Sequence, residues 1–141
     1  MWRGMREAVK AFSVQRDCPI TAEEIGGLRA SVGWDRDAGN WDRVLENAYM
    51  HLTIHDDGRL IGYANVISDG ASNAFISDLM IHPDYQRRGL GRNIVRHAVG
   101  ELKAAGIRGV HTTFVSELEP FYRSCGFYIF KGGIIDTELE R

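Results

Sequence analysis

Asp78-Leu79-Met80-Ile81-His82-Pro83-Asp84-Tyr85-Gln86-Arg87-Arg88-Gly89-Leu90-Gly91 joins two kinds of periodicity. Upstream, Ala74–His82 carries apolar residues in both alternating sets, Phe75, Leu79 and Ile81 against Ile76 and Met80, the pattern of a central strand covered on both faces. Downstream, Leu90, Ile94, Val95, Ala98, Val99, Leu102 and Ala105 recur at helical spacing, Arg92, Arg96 and Lys103 fall outside that stripe, and Gly106 stands where the helix should end. Between them, Gly89 and Gly91 let the backbone turn sharply and remove the Cβ atoms that would hold a ligand away. The first N–H groups of a helix are unpaired and carry the positive end of its dipole, so this junction offers a local anion site suited to phosphate. Arg87, Arg88 and Arg92 add charge there. The same residues also fit a plain helix start, with glycines that ease packing and arginines that are solvated.

Working outward, Tyr49–His55 and Arg59–Ile67 are two alternating runs separated by Asp56-Asp57-Gly58, the turn chemistry of a hairpin, and Ser68-Asp69-Gly70 leads into Ala74–His82. Val9–Gln15 reads as a first strand. Thr21-Ala22-Glu23-Glu24 is a capping box opening a helix to about Ser31, with Gly33 ending it, and Asn40-Trp41-Asp42 starts a shorter helix to about Asn47. After the long helix come a strand over Gly109–Val115, a short helix over Glu119–Cys125 ended by Gly126, and closing strands over Phe127–Phe130 and Ile134–Glu138. This order predicts a mixed α/β (α+β) fold, with a ligand site where strand Ala74–His82 hands over to helix Leu90–Ala105.

The chain has 141 residues, a length that fits one domain over 1–141, and Met1–Gly4 before Met5 is open to two readings, an added extension or native sequence. Seventeen Lys+Arg against nineteen Asp+Glu give a net charge of −2, so no global basic field exists to hold nucleic acid or anionic lipid, and any anion must be bound locally. Two cysteines, Cys18 and Cys125, stand far apart and in no Cys/His cluster; no metal site and a reduced, cytoplasmic setting are expected. The longest apolar run, Phe127–Phe130, is far below the roughly 18 residues of a membrane helix, and the charged N-terminus is unlike a secretory signal.

The stretch Asp78–Gly91 resembles motif A of the GNAT superfamily of acyl-CoA-dependent N-acetyltransferases, a Q/R-x-x-G-x-G/A turn between a central strand and a helix. Glu119-Pro120-Phe121-Tyr122-Arg123-Ser124-Cys125-Gly126-Phe127 resembles its motif B, and the resemblance covers about residues 49–130. It implies a mainly antiparallel central sheet of six to seven strands flanked by about four helices. It further implies acetyl-CoA as co-substrate, an amine of a small molecule or peptide as acceptor, and direct attack in a ternary complex. By the same resemblance, main-chain amides of about Arg87–Gly91, Leu90 included, hold the coenzyme pyrophosphate, with Gly89 and Gly91 permitting close approach and Gln86 capping the turn or touching coenzyme. Leu79, Met80 and Ile81 carry the backbone along which pantetheine lies, and the Leu79 amide faces the thioester carbonyl. Tyr122 matches the tyrosine that protonates the leaving thiolate. Homodimers are common in the superfamily.

An amine acceptor must lose a proton, directly or through water. Asp78, one residue before the pantetheine strand, His51 and His111 are candidate bases beside a water relay, whereas His82 before Pro83 reads as structural. Cys125 reads as a packing residue, because no adjacent base activates it. Trp34 and Asp35, with Asp37, Trp41 and Asp42, suggest an aromatic and acidic pocket for a cationic amine; a capped second helix with Trp41 in the core fits the same residues. A non-catalytic acyl-CoA sensor of the same fold stays open as the alternative function. The absence of G-x-x-x-x-G-K-[ST] argues against an ATP site.

Overall fold

The structure is a computed structural model that describes residues 10–139. Among the described residues five strands form one sheet in the order β1-β2-β3-β4-β5: β1 (Gln15–Arg16), β2 (Met50–Asp56), β3 (Arg59–Ser68), β4 (Asn73–Ile81) and β5 (Gly109–Thr112). Neighbours are antiparallel except β4 and β5, which are parallel. The crossover between that parallel pair is α3 (Leu90–Ala104), whose Leu90, Ile94, Ala98 and Leu102 pack with Leu52, Ile54, Val66 and Ile76 on one face of the sheet. On the other face α1 (Ala22–Ser31) sets Ile25 and Leu28 against Leu60, Tyr63 and Met80, and α2 (Trp41–Asn47) adds partly buried Trp41 and Leu45. The Thr21 box opens α1 as its sequence predicts: the Thr21 hydroxyl accepts from the Glu24 amide at 3.1 Å, and the Glu24 carboxylate accepts from the Thr21 amide at 3.0 Å. Short 3-10 turns precede α3 (Pro83–Tyr85) and the last helix, α4 (Glu119–Ser124).

The mixed α/β architecture agrees with the sequence reading, but among the described residues the sheet has five strands where six to seven were expected. The first strand shrinks from Val9–Gln15 to Gln15–Arg16, ended by Asp17 at φ +55°, while Phe12 and Val14 pack against the core without joining the ladder. Val9 and Met1–Gly4 lie outside the described residues. The fifth expected run stops at Thr112 instead of Val115. Phe127–Phe130 and Ile134–Glu138 form no strand. Tyr128 and Phe130 are each 75% exposed and Ile135 is 89% exposed, so neither segment docks on the sheet although edges are open, and alternation without a partner makes no strand.

One irregularity in β4 shapes the site. Tyr63 pairs with Met80 and Asn65 with Ser77, so one residue of β3 faces two of β4, Asp78 and Leu79. Asp78 takes up the extra residue at φ +55°, a left-handed conformation in which Asp is tolerated better than most side chains. The bulge reverses the alternation. Ile76 packs on the α3 side, and Met80, four residues on, packs on the α1 side.

Candidate active site

Pairing of β4 with β5 ends at Ile76 and Thr112, whereas β4 continues to Ile81. From Ser77 onward its outer edge therefore has no strand beside it. The His82 amide donates to the Ile61 carbonyl at 2.8 Å, which makes the neighbouring pair Ile81 and Gly62 a non-hydrogen-bonded one. The Ile81 amide thus points away from β3 into the opening, while Met80 is tied to Tyr63 of β3. The Leu79 and Ile81 side chains pack against the core, and the Met80 side chain is buried beneath α1. These strand residues offer backbone rather than side chains.

The turn after β4 is fixed on several sides. Gln86 Nε2 donates to the Ile81 carbonyl at 2.9 Å, which is the capping role open to it in the sequence. The Tyr85 hydroxyl donates to Asp56 Oδ2 at 2.5 Å, and its ring meets Phe12 edge-on at 5.7 Å. His82 Nδ1 accepts from the Asp84 amide at 3.1 Å and its Nε2 lies 2.8 Å from Arg59 Nη2, so the residue before Pro83 is structural in place as well as in sequence. Arg88 folds back, donating to the Asp84 carbonyl at 3.2 Å with its guanidinium 5.4 Å from the Tyr85 ring centroid. Arg87 is exposed at φ +65° and Gly89 sits at φ +78° as the N-cap of α3, with no side chain capping the helix. The leading amides around Leu90 thus have no side-chain partner. The two glycines serve different ends. Gly89 answers a left-handed backbone with open space around it, whereas a Cβ at Gly91 would lie 3.2 Å from Phe121 Cζ, so Gly91 lets α4 approach α3.

Tyr122, 6% exposed, stands on α4. Its ring stacks on Phe114 at 4.4 Å between centroids and meets Phe121 and Phe127 edge-on at 5.0 and 5.8 Å. Burial pushes its phenol above the ordinary value, against a hydrogen bond with Thr112 that pulls the other way. Thr112 is the last paired residue of β5, and its hydroxyl donates to the Ile76 carbonyl at 3.0 Å. Tyr122 therefore faces the point where β4 and β5 part. Burial likewise pushes the Cys125 thiol up, which fits packing rather than nucleophilic work.

Of the expected bases, Asp78 alone adjoins the opened part of β4. His51 is buried near β1, its Nε2 2.7 Å from the Cys18 carbonyl. His111 is exposed, with Nε2 3.0 Å from Asn73 Oδ1, beside the far end of β4. Asp78 faces residues the sequence reading did not single out: Arg29 Nη1 lies 3.4 Å from its Oδ1, and its charge, second to burial, helps push the Tyr63 phenol far above the ordinary range. The Arg29 guanidinium lies 5.2 Å from the Trp34 ring centroid and 4.6 Å from that of Trp41. The aromatic pair expected to receive a cationic amine is therefore beside the chain's own cation. Asp35 contributes its carbonyl to Arg29 Nε at 2.8 Å, while its carboxylate accepts from the Asp37 amide at 2.9 Å. Two neighbouring tryptophans were the only signal for Arg29, since a helical arginine otherwise reads as a solvated face.

The sequence model of the "Acetyltransferase (GNAT) domain" matches residues 47–129. The chain belongs to the GNAT acetyltransferase family. It is 32% identical over 136 residues to the "GCN5-related N-acetyltransferase 2, chloroplastic" of Arabidopsis thaliana, a match covering 82% of this chain and 53% of that one. Across the first relatives matched, the GNAT chain spans from 53% to 65% of the relative's length. A probable acetyltransferase of methicillin-resistant Staphylococcus aureus superposes with a TM-score of 0.76 at 27% identity, covering 89% of this chain and 98% of that one. An aminoglycoside N-acetyltransferase solved in complex with CoA shares the fold, with a TM-score of 0.68 at 17% identity over 89% of this chain and 93% of that one. Among the described residues no helix is long and apolar enough to cross a membrane, and no group of three or more His, Cys, Asp or Glu is arranged to hold a metal ion.

Proposed function

We propose that this GNAT chain, taken as one domain, transfers an acetyl group from acetyl-CoA to the amine of a small molecule or peptide by direct attack in a ternary complex. The observation that carries the reading is the unpaired edge of β4 between the Asp78 bulge and the uncapped start of α3. A pantetheine arm laid along that edge pairs with the Leu79 and Ile81 backbone, and the pyrophosphate meets the amides of Arg87–Gly91. The Leu79 amide then polarises the thioester carbonyl and stabilises the tetrahedral oxyanion. The neutral amine attacks the carbonyl carbon, Asp78 accepts the proton its nitrogen then sheds, the C–S bond breaks, and Tyr122 protonates the thiolate. Holding amine and thioester in this geometry supplies much of the acceleration. Two unpaired cysteines agree with a reduced aqueous setting such as the cytoplasm.

A thermal-shift titration with acetyl-CoA, coenzyme A and ATP tests the site. At 100 times Kd a ligand specific to the folded state adds about 2.7 kcal/mol, which for a chain of this size is a rise on the order of 5–10 °C. Both coenzymes are expected to give that rise and ATP none. No rise with either coenzyme withdraws the assignment, and a rise without turnover of any amine leaves the acyl-CoA sensor.

Gly89→Ala is expected to raise the acetyl-CoA KM about tenfold, because its φ of +78° costs an L residue roughly 1–2 kcal/mol and the added methyl stands where the pyrophosphate approaches. The acceptor KM is expected to stay put. Steady-state kinetics with each substrate varied separates the two, and an unchanged acetyl-CoA KM beside a lowered melting temperature would assign Gly89 a folding role only.

A further inference from the structure

Asp78 and Arg29 place opposite charges side by side at the point where the amine must sit. The Arg29 side chain is 12% exposed, its Nε is held by the Asp35 carbonyl, its Nη1 is 3.4 Å from Asp78 Oδ1, and its guanidinium lies near the Trp34 and Trp41 rings. Among the described residues Nη2 makes no hydrogen bond, and it is not among the buried polar atoms lacking a partner. One arm of a fixed guanidinium is thus left to meet a ligand. The cation also changes what the tryptophans do. With Arg29 beside both rings, they orient an arginine rather than compete for a ligand's ammonium. An acceptor carrying only positive charge meets Asp78 and Arg29 together, a pair with no net charge, and gains little from either. The carboxylate of Asp35, engaged by the Asp37 amide, does not take up the Arg29 fork.

We propose that the acceptor is an amine with a carboxylate close beside it, as in an α-amino acid: its ammonium meets Asp78 while its carboxylate takes the free arm of Arg29. The inference rests on the acetyltransferase reading above and adds the class of acceptor. An arginine is suited to this work because its planar fork stays charged and its orientation is already fixed by the Asp35 carbonyl and the rings. Arg29 is then the specificity determinant of the acceptor side, and it has no direct contact to make with the coenzyme.

The test compares matched pairs, phenylalanine with phenethylamine and tryptophan with tryptamine, as acceptors for the wild type, Arg29→Met and Arg29→Lys, each also titrated with coenzyme A in a thermal shift. The wild type is expected to favour the carboxylate-bearing member of each pair by about tenfold or more in kcat/KM, the scale of one charge-assisted hydrogen bond. Arg29→Met is expected to lose that preference through the KM of the amino acid, keep its coenzyme shift and leave the acetyl-CoA KM unchanged. Arg29→Lys, which retains the charge without the fork, should keep part of the preference, and it carries the test if the Met variant does not fold. A wild type that favours the decarboxylated amines, a wild type that acetylates neither member, or a preference unchanged in both variants overturns the proposal, even where the coenzyme shift shows the acetyltransferase site intact. A wild type with no coenzyme shift overturns the functional reading itself, and this inference falls with it.

Discussion

Asp78→Asn is expected to lower kcat by about 10²- to 10⁴-fold, the usual worth of a positioned general base. The exchange is selective. Asp78 stands at φ +55°, and Asn is among the few residues that tolerate the left-handed region, so the bulge is retained where Ala would add strain. The amide oxygen still accepts from Arg29 Nη1, a contact that at 3.4 Å is long already. The melting temperature is therefore expected to stay within about 4 °C, the response to roughly 1 kcal/mol at this size. Since the residue is one step from the backbone that would hold pantetheine, the acetyl-CoA KM is the internal control: unchanged, it assigns the loss to proton transfer. Full turnover in the Asn variant would retire Asp78 as the base and leave a water relay, because His51 and His111 are each engaged elsewhere, at the Cys18 carbonyl and Asn73.

The junction around Gly89 was legible because its signals are local. The change from a strand covered on both faces to a 3.6-residue stripe lies within a dozen residues, and the end of β4, the turn and the start of α3 fall where that change puts them. The Asp78 bulge was hidden by the same feature that marked the strand. With apolar residues in both alternating sets, no alternation is left to record the one-residue slip that sends Ile76 and Met80 to opposite faces. Arg29 was illegible for another reason: its meaning comes from Trp34, Trp41 and Asp78, and only tertiary packing brings the last of these to it. At the C-terminal end Phe127–Phe130 and Ile134–Glu138 have the composition of strands, but strand formation depends on docking against a partner strand, and composition alone carries no record of whether that docking occurs.

Tyr122→Phe should lower kcat about 10²-fold with little change in either KM, because a leaving thiolate must then take its proton from solvent. The ring is kept, and with it the stacking on Phe114 and the edge contacts to Phe121 and Phe127, so the α4 packing survives and only the hydroxyl is lost. The pH dependence supplies the sharper reading. A phenol serves as the acid only while protonated, and burial raises the Tyr122 value above that of a free phenol, near 10. The wild type should therefore hold its turnover through neutral pH and past the ordinary phenol range before falling on the alkaline side. In the Phe variant that alkaline fall should be missing, because no group is left to lose the proton. Profiles of kcat at saturating substrates between about pH 8 and 11, with circular dichroism at each point to mark unfolding, distinguish the outcomes. An alkaline limb identical in both proteins, or a variant at full rate, would make Tyr122 a filler of the gap where β4 and β5 part and move the thiolate's proton to water.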